Sequence, residues 1–169
     1  MRTRLSPEVA WFFQQFGIAA QYLHMQQTLL SPAAVPVLVP WNGLLVFGSW
    51  LLTGEERTGF SQPIKPLRSF DPRMPLAAPG AWEIVLRVSR MQIGDFIFAP
   101  GAGRLADPFT ESPGATELVV GLNWYLNAWI RMQANWERLW FDRPVQMGAT
   151  PAHRIGHQDA ILLRMQVAF

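Results

Sequence analysis

The sequence predicts an all-β chain: an antiparallel, up-and-down segment of a transmembrane β-barrel, about seven strands of an incomplete barrel. Three observations carry this. First, Gly114 to Phe141 alternates between two faces. Thr116, Leu118, Val120, Leu122, Trp124 and Leu126 fall on one face, and Glu117, Val119, Gly121, Asn123 and Tyr125 on the other. After a turn at Asn127-Ala128, Ile130, Met132, Ala134, Trp136 and Trp140 oppose Arg131, Gln133, Asn135 and Glu137, with Arg138 breaking the pattern. Side chains alternate faces along a strand, so this is a hairpin with one apolar and one polar face. Second, 50% of the residues are hydrophobic and 15% charged, yet no run reaches the roughly 18 apolar residues that a spanning helix needs. Hydrophobicity dispersed at every second residue is the signature of a membrane barrel. Third, eight tryptophans are unusual for a soluble sandwich of this size.

The remaining strands follow in order. Ser6-Pro7 opens the first, Glu8 to Gln14, with Val9, Trp11 and Phe13 on one face. A turn at Gln15-Phe16-Gly17 leads to a second, Ile18 to about Thr28, with Ile18, Ala20 and Tyr22 outward and Ala19, Gln21 and Leu23 inward. Pro32, Pro36 and Pro40 make Leu29 to Trp41 a loop, because proline cannot donate to a ladder. The third strand, Asn42 to Thr53, is apolar on both faces. Gly54 to Pro79 is irregular and rich in proline. Gly80 to Met91 forms the fourth strand, with Trp82, Ile84, Leu86 and Val88 opposing Glu83, Val85, Arg87 and Ser89. Gln92–Pro113 and Asp142–Gly156 read as loops, and His157–Phe169 as the last strand. Short turns then alternate with long loops, as in outer-membrane barrels. Parity places the long Gly54–Pro79 segment on the short-turn, periplasmic side. Trp41, Trp82, Trp129 and Trp140 sit at strand ends, where an aromatic girdle meets headgroups; Trp136 does not.

The 169 residues make one domain. There is no cysteine, so disulfides and thiolate metal sites are excluded. Thirteen arginines and a single lysine carry the basic side of a net charge of +2; arginine stays charged when partly desolvated and binds oxyanions bidentately. Arg2 and Arg4 precede an apolar stretch interrupted by Pro7 and Glu8, so no cleavable export signal is recognisable and the chain reads as part of something longer.

Catalytic and cofactor patterns fail on context. Gly101 to Ala106 matches a dinucleotide fingerprint on paper, but Pro100 and Asp107-Pro108 leave no strand–turn–helix for it. His153 and His157 are four apart, with Pro151 and Gly156 opposing the helix that would align them on a metal. No nucleophile elbow, Walker loop or zinc-protease motif occurs, and the basic residues do not follow a nucleic-acid pattern. The expectation is no enzyme, no cofactor, no metal and no nucleic-acid partner. The polar face remains: Arg87, Arg131 and Arg164 beside Glu83, Glu117, Asn123, Gln133, Asn135, Glu137 and Gln166. If this face lines water, the arginines set ion selectivity. The alternative is pairing across the ladder, with Arg131 or Arg87 held by Glu117, and the two are compatible.

Several phrases resemble the phosphate-selective porin family, the relatives of porins O and P. Pro7-Glu8-Val9-Ala10-Trp11 leading to Phe16-Gly17-Ile18 is similar to its "GPELxW…GPFSLQxEY" hairpin, and Leu52-Thr53-Gly54-Glu55 to its LTGE. Ile64-Lys65-Pro66, Phe70-Asp71-Pro72, Gly80-Ala81-Trp82-Glu83 and Arg87-Val88-Ser89 resemble its "KP…F…GAWE…RYS" passage. Gly121-Leu122-Asn123-Trp124-Tyr125-Leu126-Asn127 resembles its "GLNWYLN", and Phe169 suits an outer-membrane assembly signal. The resemblance implies the C-terminal part of a barrel of about sixteen strands in the outer membrane, usually trimeric. Such a barrel passes phosphate and other small anions without a cofactor. The family's constriction draws on earlier strands, so its selectivity does not carry over, and Gln21 departs from the usual acidic residue. Lipid, permeant anions and either further strands or other copies of the chain are the implied partners. Two other readings stand beside it: a non-conducting structural or interaction sheet, and a soluble ligand-binding β-domain.

Overall fold

A computed structural model describes residues 2–148 and 153–168. The chain is all-β, an antiparallel up-and-down sheet that does not close into a barrel. Its strands are β1 (Arg2–Leu5), β2 (Glu8–Phe13), β3 (Phe16–Leu30), β4 (Pro36–Leu51), β5 (Ala81–Ile93), β6 (Gly114–Tyr125), β7 (Ile130–Gln146) and β8 (Arg154–Val167). Each pairs with its sequence neighbour, except that β1 and β2 both pair with β3. These two are one stave. Leu5 lies opposite His24 and Glu8 opposite Gln21, the same register. Ser6-Pro7 therefore does not open the strand. Pro7 only interrupts its ladder, because it lacks an N–H, while its carbonyl still accepts from Tyr22 N at 3.0 Å.

The proline-rich stretch Leu29–Trp41 is not a loop throughout. β3 runs on to Leu30 and β4 begins at Pro36, leaving only residues 31–35 as the turn. Pro36 and Pro40 are accommodated because β5 pairs with β4 only from Trp41 onward. Below Trp41 the strand has an open edge, where a missing donor is tolerated. Asp142–Gly156 likewise gives way to long strands: Val145 faces Ile155 and Gln146 faces Arg154 across a bulge that follows Trp140. Tight turns do occupy the other end. Phe13 faces Phe16, so the turn is Gln14-Gln15, with Gln14 at φ 51°. At the second, the Asn127 side chain accepts from the backbone of Trp129 and Ile130 at 2.8 and 2.9 Å. Phe169 lies outside the described residues.

The register sorts the side chains. Up to the bulge in β7, odd positions of β3 to β7, and even positions of β2 and of β8 from Gln158 onward, share one face, here the inner face. The opposite, outer face is apolar and bare: Val9, Ile18, Leu44, Leu86, Leu122 and Ile161 are all exposed. Trp82 and Leu163 lie on it, and Leu163 is 79% exposed. An exposed apolar face of this extent marks a surface for lipid or for another protein.

Two connections fold onto the inner face. From one end, residues 54–64 lay Phe60 edge-on against Phe12 and Phe47, with ring centroids 4.9 and 4.8 Å apart. Ile64 is buried with Leu51, Ala81 and Tyr125. From the other end, a short 3-10 turn over Asp95–Phe98 buries Ile97 and Phe98 against Val39. Trp41 is half-buried against that cluster. It belongs to the inner face and not to an outward girdle, because Asn42 and not Trp41 has the outward parity.

Candidate functional site

The inner face between these two inserted segments is the candidate site. Its first level is set by strand parity. Glu83, Asn123, Gln133 and Arg164 stand opposite one another in a single row across β5 to β8. The adjoining row on one side is Tyr125, Arg131 and Gln166; on the other, Asn135 stands opposite Gly121. Arg87 faces Val119, which faces Glu137, and Glu117 faces Ser89. All ten residues expected on one face are thus on one face.

Their environments differ. Glu83 is 1% exposed and Asn123 5%, so both are shielded from bulk water, although they line the cavity beside them. The inserted segment covers them: Arg57 Nη2 donates to Glu83 Oε1. Asn123 Nδ2 and Tyr125 OH donate to the other carboxylate oxygen at 2.8 and 2.7 Å. Gln133 extends the network by donating to Asn123 Oδ1 at 2.8 Å. A buried carboxylate is tolerable only when paired and hydrogen-bonded in this way. The charge of Glu83 is therefore engaged in holding the insert down.

Arg87 donates to Glu117 at 2.9 Å, and Ser89 donates to the same oxygen. Of the two pairings the sequence allows for Glu117, the one with Arg87 forms. Arg131 instead donates to Gln166 Oε1 at 2.8 Å and lies 5.6 Å from the Tyr125 ring centroid. Among the described residues, neither Arg131 nor Arg164 has a carboxylate within 4.0 Å. They keep their charge available. A cavity of about 260 Å³ is lined by Arg57, Arg87 and Arg131, by the carboxylates of Glu83 and Glu137, and by Phe47 and Phe60. The arrangement can attract an oxyanion electrostatically.

Sequence reasoning missed Arg57 and Phe60, because nothing local in Gly54–Pro79 marks which residues turn inward. It also missed Arg2 and Arg4, which the register places on the inner face opposite Gln27 and Met25. A signal existed for those two. They continue the even parity of Glu8, Ala10 and Phe12 across the Pro7 interruption.

The outer face carries its own pattern. Three cross-strand polar pairs cap the apolar surface at one end. His24 Nδ1 lies 2.8 Å from Asn42 Oδ1 on β3/β4, Arg90 donates to Thr116 at 2.9 Å on β5/β6, and Arg138 pairs with Asp159 at 2.7 Å on β7/β8. At the other end, stacked Phe16–Trp50 closes β3/β4 and stacked Trp82–Trp124 closes β5/β6, with centroids 5.6 and 5.0 Å apart. Trp129 follows at the β6–β7 turn, its carbonyl accepting from Ala168 N at 2.9 Å. Neither edge runs straight across the ladder. Asn42 stands opposite Gln92, two residues beyond Arg90, and Thr116 opposite Trp140, two beyond Arg138. Trp50 stands opposite Ile84, two residues from Trp82, and Trp124 opposite Met132, two from Ile130. Both edges slide the same way, one residue per strand. No protein-family model matches the chain, and no curated protein matches it.

Proposed function

We propose that the chain is part of an outer-membrane porin of the phosphate-selective kind, whose complete wall lets small anions diffuse through a water-filled barrel. The observation that carries this reading is the pair of parallel, oblique edges on the outer face. A slide of one residue per strand is the stagger of a barrel whose strands tilt by about 36°, within the range of membrane barrels. The edges lie eight residue steps apart along a strand, for example from Trp82 to Arg90. At about 3.3 Å per residue and that tilt, the apolar band is roughly 21 Å tall. That is close to the ~25 Å band of outer-membrane barrels.

The inner face supports the second half of the reading. Arginines on the wall offset part of an anion's dehydration cost. Among the described residues of this face, Arg2, Arg4, Arg131 and Arg164 have no carboxylate within 4.0 Å, against Glu8 and Glu137 with no cation, so the unpaired charge is positive. The sheet has two open edges, whose unpaired backbone groups cost several kcal/mol each in lipid, so it conducts only within a closed wall.

The test is planar-bilayer recording of the chain assembled with companion strands that close the barrel. The expected result is a steady anion-preferring current that loses its preference in Arg131→Glu. A closed assembly that passes no current overturns the pore. The open edges would then favour the second reading, a sheet module packed against another protein.

A further inference from the structure

The connection between β4 and β5 does two different things. Its first half enters the inner face, as described. Its second half crosses the rim: Phe70 packs edge-on against Trp124, centroids 4.8 Å apart, and Trp124 is an outer-face residue stacked on Trp82. Trp124 Nε1 donates to Pro79 O at 2.8 Å, and Phe70 N donates to Leu126 O at 2.7 Å. Residues 65–79 are thereby fixed to the aromatic edge of the outer face.

This stretch is a built knob. Asp71 N donates to Ala78 O at 3.0 Å and closes the loop; Ala77 and Ala78 N donate to Met74 O. Asp71 caps Arg73 N at 2.9 Å, and Arg68 Nη1 donates to Ala77 O at 3.0 Å. Yet the knob leaves Leu67 70%, Met74 57% and Leu76 98% exposed. Lys65, Arg68 and Arg73 stand exposed among them, against the single Asp71. Apolar side chains and cations on one preorganised projection, at the level of an aromatic girdle, match the boundary between acyl chains and phosphates.

We infer that residues 65–79 dock on the anionic phospholipid headgroups of the leaflet at the tight-turn end, with Met74 and Leu76 entering the acyl boundary and Lys65, Arg68 and Arg73 meeting the phosphates. The inference rests on the membrane reading of the outer face. It assigns a lipid-binding role to a segment that parity alone leaves as an unexplained long turn.

The absence of cysteine permits a clean test on the chain closed with companion strands that also lack cysteine. An environment-sensitive fluorophore at Ala77→Cys is read in vesicles of phosphatidylcholine alone and of phosphatidylcholine mixed with phosphatidylglycerol, each with lipids spin-labelled near the headgroup. A second protein carries the probe at Leu86→Cys, on the outer face away from the knob. The Ala77 probe is expected to shift to the blue and be quenched, more so with phosphatidylglycerol. Arg68→Gln and Arg73→Gln each weaken that anionic preference roughly fivefold, and Leu76→Ser reduces docking in both lipids. A quenched Leu86 probe with an Ala77 probe that stays in water overturns the inference alone. A Leu86 probe that stays in water overturns the membrane reading beneath it. A blue shift that grows with protein concentration, without quenching by lipid, replaces the headgroup with a second copy of the chain.

Discussion

The oblique apolar band makes a prediction that a flat or soluble sheet does not. Ile18, Leu86 and Ile161 all lie on the outer face in a single row across the ladder, through Gly48, Val120 and Trp136. If the band slides one residue per strand, residues in one row sit at different depths. Each residue of slide changes height by about 2.7 Å, from 3.3 Å per residue and a ~36° tilt. Measured from the two edges, Leu86 lies about 9 Å from the nearer one. Ile18 lies about 4 Å from the aromatic edge, and Ile161 about 4 Å from the polar edge. Arginine at the midplane of a membrane barrel costs about 2–4 kcal/mol and near an interface about 0–1. Leu86→Arg should therefore destabilise by roughly 3 kcal/mol, and Ile18→Arg and Ile161→Arg by under about 1.5. The assay is equilibrium urea unfolding of the closed assembly in vesicles, followed by tryptophan fluorescence, for all three variants. Equal costs at the three sites would refute the tilt, and three negligible costs would refute the lipid-facing surface.

The inserted segment gives a second prediction. Arg57→Ala leaves Glu83 buried without its cation and should cost about 3–5 kcal/mol, whereas Arg57→Met combined with Glu83→Met should recover most of it; the same urea titration reads both. Arg87→Ala breaks a pair that is about one-third exposed (37% and 26% for the two side chains), so its cost should stay below about 1 kcal/mol. Gly80→Ala should cost roughly 2 kcal/mol or more. The residue has φ +74°, and an added Cβ would stand 2.5 Å from Tyr125 O. Limited proteolysis should then cut the 65–79 knob, because its anchor through Pro79 is displaced.

What the sequence revealed was whatever follows from parity. Leu118 and Glu117 declare opposite faces by alternation alone, and once β5 to β8 are strands, ten named residues must share a face. What it hid depends on partners distant in the chain. Pro36 and Pro40 read as strand breakers until β5 is seen to stop short of them, at Ile93 opposite Trp41. Trp41 reads as a girdle residue because it lies near a strand end, while its partner cluster, Ile97 and Phe98, lies more than fifty residues away. Arg57 shows no periodicity because loops have none, so its pairing with Glu83 was invisible. The same pairing changed the meaning of Glu83, from wall to anchor.

The direction of the strands restricts how this sheet can be completed. Counting β1 and β2 as one stave, the sheet has seven, from that stave to β8. In an up-and-down sheet of odd number the two edge staves run the same way. A second copy inserted in the same orientation would thus join β8 to the β1–β2 stave in parallel, at both seams. Parallel pairing is slightly weaker per residue and unlike the all-antiparallel wall of most outer-membrane barrels. An antiparallel seam between two copies, β8 to β8, would turn one copy upside down and put its polar pairs where the other has its aromatic edge. An odd number of additional strands avoids both problems, since it closes the wall with every neighbour antiparallel. Cross-linking distinguishes the cases: cysteines at Gln158 and at Ala10 of two copies should form no disulfide in the membrane, and an efficient bridge between them would show that copies of this chain suffice to close the barrel.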